Sequence, residues 1–271
     1  MATAPELHSR GVTAINSGRL RTARTLLERA QERTDEADGE LRARIEASLA
    51  FVTAETGDAA GALALCERAL GRAGLSAETR GVVESQRALL LMRRGETVAA
   101  LSAFEAAIGS LADNPAELGK AHLNRGGVYL QQGQPDRALV DFAAASEHLE
   151  SAGLTTEAAM SRHNLGYAQL LLGNLVDALR EMDAAREVLA PMSPLTRAIC
   201  DQDRAEVLMA AGLSTEGRHA LREAARTYGL RRFHQRRGEA ELVLARSVLL
   251  ADPAESLAAA RAARRRFTRT G

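Results

Sequence analysis

A glycine recurs at Gly18, Gly57, Gly95, Gly133, Gly173 and Gly212, at intervals of 39, 38, 38, 40 and 39 residues. A period in that range describes a chain built by stacking one small unit on the next, because no single unit can bury its own apolar face. Five residues after each glycine stands a small side chain: Ala23, Ala62, Ala100, Ala138, Ala178 and Gly217. Four further on come Leu27, Cys66, Phe104, Phe142, Met182 and Leu221, and three beyond those Ala30, Ala69, Ala107, Ala145, Ala185 and Ala224. Seven residues before each glycine there is again a small residue, at Gly11, Ala50, Ala88, Gly126, Gly166 and Ala205, often followed three later by a large one such as Leu91, Tyr129 or Leu208.

Those spacings are helical, and each unit reads as two antiparallel helices about a tight turn. Helices approach closely only where small residues face each other, and the large residues four away fill the space between the backbones. The recurring glycine ends the first helix in a left-handed conformation that costs other residues more. Asp58, Asn174 and Ser214 stand where caps of second helices are expected, and Pro135 suits a helix start. A seventh, degenerate pair is expected as a helix over Gly238 to Leu250, a turn at Ala251, Asp252 and Pro253, and a closing helix to about Arg266.

Composition agrees with an all-α chain: Ala, Leu, Arg and Glu dominate, aromatics make up 3%, and there is no Trp. With 35 basic and 35 acidic residues the formal charge is zero, which argues against a general nucleic-acid binder. No stretch approaches the roughly 18 apolar residues of a membrane span, and the N-terminus lacks a basic region followed by an apolar core. A cytoplasmic protein is therefore expected. Cys66 and Cys200 fall in distant units, and the six histidines show no zinc-type spacing, so no disulfide, metal, cofactor or catalytic site is expected. Basic residues such as Arg264, Arg265 and Arg266 suit the last turn of a helix, with docking to an acidic partner or RNA as the alternative.

The pattern small–x–x–large, turn glycine, Ala–x–x–x–large–x–x–Ala resembles the tetratricopeptide repeat over residues from about 4 to about 230. The resemblance implies a right-handed superhelical solenoid spanning 1–271 as one domain. Its units fall at about 4–38, 43–75, 81–114, 119–153, 159–192 and 198–230, with a capping pair at 231–271. It also implies a concave face lined by first helices that binds a peptide or protein partner without catalysis. Two residues before each first-helix small position, the chain has Ser9, Ser48, Gln86, Asn124, Asn164 and Asp203. An asparagine there bonds the main chain of an extended peptide in similar proteins, since its amide donates and accepts. One after the small position stand Val12, Phe51, Leu89, Gly127, Tyr167 and Glu206. The groove residues implied are Gln86, Lys120, Asn124, His163, Asn164, Tyr167 and Asp203. A clamp for a terminal carboxylate is not expected, because Met160 and Ile199 stand where its later basic residues belong.

Three stretches carry a narrower resemblance: Gly119-Lys-Ala-His-Leu-Asn-Arg-Gly126, Ser161-Arg-His-Asn-Leu-Gly-Tyr167 and Ala262-Ala-Arg-Arg-Arg-Phe267. They are similar to the N-terminal helical arms of actinobacterial proteins carrying a caspase-like CHAT protease domain, which implies a sensing or docking arm. A regulatory arm of a bacterial transcriptional activator or signalling protein is the alternative expectation.

Overall fold

A computed structural model of the chain describes residues 2–249 and 252–270, and every regular element among them is a helix. The chain divides into two compact units, one running to Val128 and one starting at Tyr129. The first holds α1 (Ala4–Asn16), α2 (Leu20–Arg33), α3 (Gly39–Glu55), α4 (Ala59–Leu70), α5 (Ala77–Arg93), α6 (Thr97–Ser110) and most of α7 (Pro115–Gln131). The second holds α8 (Pro135–Ser151), α9 (Thr155–Leu171), α10 (Leu175–Leu189), α11 (Pro194–Ala210), α12 (Ser214–Leu230), α13 (His234–Val248) and α14 (Pro253–Thr270). No helix among the described residues is long and apolar enough to cross a membrane.

Within the first unit α1 packs on α2, α3 on α4 and α5 on α6; within the second, α9 packs on α10, α11 on α12 and α13 on α14. The small and large positions of the repeat do the work their spacing implies. Leu27, Cys66, Phe104, Phe142, Met182 and Leu221 are all buried, as are the alanines three beyond them. The close approach can be measured at Gly166, where an added Cβ would sit 2.7 Å from Met182 Cγ and 3.0 Å from the Ala178 carbonyl oxygen. At Gly11 it would meet Leu27 Cδ2 at 2.7 Å. The six recurring glycines all have positive φ, from 66° at Gly133 to 95° at Gly57. A side chain there would strain the backbone, so the turn position selects glycine.

The first helices start about one turn earlier than the repeat pattern marks, α3 at Gly39, α5 at Ala77 and α11 at Pro194. The signals for that extra turn are N-caps: Asp38, Ser76, Asn114 and Ser193 each accept a backbone N–H three residues on. The repeat pattern marks where two helices touch, whereas the cap marks where one begins, and the two lie about a turn apart. The extra turns also join neighbours. Glu40 at the start of α3 accepts from the Ser76 N–H at 3.0 Å and from the Ser76 hydroxyl at 2.7 Å, at the start of α5.

The expected caps of the second helices divide. Asp58 Oδ1 accepts the Gly61 N–H at 2.8 Å, and Pro135 opens α8. Asn174 sits at the cap of α10 but makes no cap bond; its amide donates to Gln169 Oε1 at 2.7 Å instead. Ser214 is the first residue inside α12, and Leu213 occupies the cap. Asp58→Ala is expected to cost about 1 kcal/mol in urea unfolding and Asn174→Ala distinctly less, because only the first removes a capping bond. Equal losses would contradict the cap assignment. In the last pair, α13 starts four residues before Gly238 and α14 is capped by Asp252, which accepts the Glu255 N–H. Leu250, the expected end of the first helix of this pair, and Ala251, in the expected turn, lie outside the described residues.

One packing feature of the first unit has no trace in the repeat pattern. Glu46 is 1% exposed in α3 and receives a bidentate pair of bonds from Arg72, at 2.9 and 2.7 Å, beyond the end of α4. A carboxylate can be buried there because its two oxygens meet a planar guanidinium fork.

Candidate functional site: the α9–α11–α13 pocket

The seven groove residues expected from the sequence fall in two places. Gln86 lies half-buried on α5, and Lys120 and Asn124 lie on α7, all in the first unit. The Lys120 ammonium donates to Glu117 Oε1 at 2.8 Å, one turn back on its own helix. His163, Asn164, Tyr167 and Asp203 come together in the second unit, lining one pocket of 340 Å³. Gln202 and Glu206 of α11 complete it with Arg236, Glu239 and Val243 of α13. Three consecutive first helices therefore build the pocket. Residues four apart lie on one face of a helix, so His163 and Tyr167, Gln202 and Glu206, and Glu239 and Val243 each present a pair to it.

His163 is the anchor between α9 and α11. Its ring is 7% exposed, and Nε2 donates to Asp203 Oδ2 at 2.8 Å, 40 residues along the chain. Burial works against the charged ring and is the largest single influence. The bond to Asp203, the nearby Cys200 sulfur and the Asp203 charge together outweigh it, and His163 is pushed up to about 9. The site thus favours the protonated ring beside Asp203. The same two repeat positions meet in the first unit, where His8 Nε2 and Ser48 Oγ lie 3.1 Å apart. His163 and Asp203 thus form a clasp between successive first helices, and Asp203 has one oxygen already engaged.

The other ring nitrogen, His163 Nδ1, is buried without a hydrogen-bond partner among the described residues. Burial, then the charges of Asp203 and Glu239, raise Glu206 above the usual carboxylate range, with Arg246 pulling the other way. Burial and then Glu206 and Asp203 likewise raise the Tyr167 phenol. Glu239 is better compensated: Arg236 lies 3.7 Å from it, and the Gln235 amide donates to it at 3.2 Å. Gln202 is only 4% exposed, yet its Oε1 has no hydrogen-bond partner among the described residues. A buried amide oxygen without a partner costs free energy in the empty protein. Sequence reasoning did not single out Gln202, although it stands one position before Asp203 in a row that was otherwise noticed.

A larger hollow of 720 Å³ lies between α10, α11 and α12. Both of its arginines are paired with its aspartates, Arg204 with Asp183 and Arg186 with Asp201. The two cysteines are free and buried. Cys66 is packed among Ala43, Ala50, Ala62 and Leu90, and burial pushes its thiol up to about 12, far from the thiolate a nucleophile requires. Cys200 packs against Ala159, Ala185 and Leu189.

The fold is all-α and of the tetratricopeptide solenoid type. The chain is similar over 98% of its length to part of a signal transduction ATPase with numerous domains and a tetratricopeptide repeat sensor from Pyrococcus horikoshii (TM-score 0.77, 13% identity), and spans 42% of that chain. It is similar over 98% of its length, and over 75% of the other, to a Rap protein complexed with Competence and Sporulation Factor (TM-score 0.73, 12% identity). A thermophilic tetratricopeptide repeat protein of Thermus thermophilus is 23% identical over 74% of this chain and 98% of its own (TM-score 0.57). No protein-family model and no curated protein matches the chain.

Proposed function

We propose that the chain is a non-catalytic interaction scaffold that binds a peptide or protein partner on the first-helix face, with the α9–α11–α13 pocket as its anchor. The observation that carries this reading is the pocket itself, in which Asn164 and Tyr167 remain half-buried beside Gln202, whose Oε1 has no partner among the described residues. Asn164 has both a donor and an acceptor for a peptide main chain, and Tyr167 offers a rigid amphipathic surface. The Rap structure, which holds Competence and Sporulation Factor, supports the reading through a common fold. Gln86, Lys120 and Asn124 are proposed as further contacts on the first unit's own helices.

The test is selection from a display library of random short peptides against the full chain, followed by affinity measurement with Asn164→Ala. Peptides selected by the wild type are expected to lose about tenfold in affinity, or about 1.4 kcal/mol, with helicity unchanged. Unchanged affinity, or a library that yields no binder, overturns the reading.

A sensing arm within a longer signalling protein is the finer form of this proposal. It rests on the likeness to a repeat sensor that is one part of a larger ATPase. The sequence resemblance to the arms of CHAT-domain proteins points to the same kind of role, with a protease as the effector.

A further inference from the structure

We propose that the α9–α11–α13 pocket is a subsite for one cationic side chain of the partner, an arginine guanidinium in preference to any other group. This deepens the scaffold reading by naming the chemistry that the pocket recognises. The starting point is Gln202 Oε1, a buried acceptor without a partner, on a side chain that is 4% exposed and belongs to a residue lining the pocket. An acceptor left open in that way is satisfied only by an incoming donor.

One turn further along α11 stands Glu206, on the same face and half-buried, the least compensated of the pocket's three carboxylates. Asp203 holds His163, and Glu239 receives Gln235 and faces Arg236. Arg246 of α13 acts on Glu206 only through its field. The pocket therefore offers an amide and a carboxylate from two residues whose Cβ atoms stand about 6 Å apart along one helix face. A planar guanidinium with five donors can bridge such a pair, whereas an ammonium is a point charge that must choose between them. Across the pocket, Tyr167 lies in the same repeat position as Glu206 on the preceding first helix, 39 residues earlier. Its ring supplies a face over which a guanidinium packs. The volume of 340 Å³ suits one long side chain and lies near the small end of ligand pockets.

The arrangement also explains why a buried glutamine is tolerated without a bond. Its cost to the empty protein is returned when a donor arrives, as is usual where function sets a residue against stability. Gln202→Met is therefore expected to leave the thermal midpoint unchanged or raise it, while weakening the bound cation.

The experiment uses N-acetyl-arginine amide and its uncharged isostere, N-acetyl-citrulline amide, titrated into the isotope-labelled full chain and followed by NMR. Arginine amide is expected to give saturable shifts at the Gln202 side-chain amide and along α9, α11 and α13. Citrulline amide is expected to give shifts at least tenfold weaker in apparent affinity. Glu206→Gln is expected to abolish that preference while the helical spectrum is retained. No saturable shift, equal binding of the two amides, or an arginine preference that survives Glu206→Gln overturns the proposal. Because the small probes need no peptide groove, the subsite can fail while the library selection succeeds, and the reverse.

Discussion

Phe104→Ala is expected to lower the stability of the chain by about 3–5 kcal/mol, the usual loss when a fully buried aromatic is cut to a methyl group. Phe104 is 0% exposed and packs against Ala88, Ala103 and Val128, with Leu89, Leu91, Met92 and Leu101 around it. Its neighbours are helix residues, three of them alanine or valine, which have no length with which to fill the void. Leu89, Leu91, Met92 and Leu101 are longer, and how far they close the void sets where in that range the loss falls. Phe104→Leu, which keeps most of the volume, is expected to cost about 1 kcal/mol. Urea unfolding followed by circular dichroism measures both. An alanine variant as stable as the leucine variant would mean that the large position of the repeat does not carry the packing between α5 and α6.

Stability should fall as the pH rises from about 6.5 to about 9, through the clasp between α9 and α11. His163 is raised above its ordinary value of 6.5 to about 9 in the folded chain. A raised histidine contributes its full stabilisation below 6.5, where both folded and unfolded chains are protonated. That contribution is lost as the folded ring gives up its proton approaching pH 9. The loss across the window should be about 2 kcal/mol. Asp203→Asn removes the charge and the carboxylate acceptor that favour the proton, leaving burial of the ring opposed only by the Cys200 sulfur. That variant should lie below the wild type at pH 6.5 and show a flat profile from there to pH 9. A wild-type profile as flat as the variant's would show that the clasp contributes nothing.

Most of the core could be read directly. The six large positions from Leu27 to Leu221 and the six alanines from Ala30 to Ala224 are buried as their spacing implies, and every turn glycine has the positive φ assigned to it. These features are legible because burial repeats with the helix period, and because only glycine takes a left-handed turn at little cost. Helix starts were less legible. Asp38, Ser76, Asn114 and Ser193 are recognisable caps, but they stand a turn outside the contact pattern that drew attention. Ser214, by contrast, has the composition of a cap without its place.

The candidate site divides in the same way. The row of polar residues through Asn164 and Asp203 is periodic and could be found by counting. That His163 bonds Asp203, that Lys120 is held by Glu117, and that Gln202 Oε1 is left without a partner could not be found so. The sequence by itself determined that the chain is built of helix pairs, which repeat positions those pairs bury, and where the six glycine turns fall. Each of these depends on spacings of a few residues within a unit. Only the tertiary structure decided which polar groups of the exposed face are satisfied and which remain open. A hydrogen bond between residues 40 apart is set by the rotation and offset of one helix against the next, to within tenths of an ångström, and no spacing along the chain encodes that.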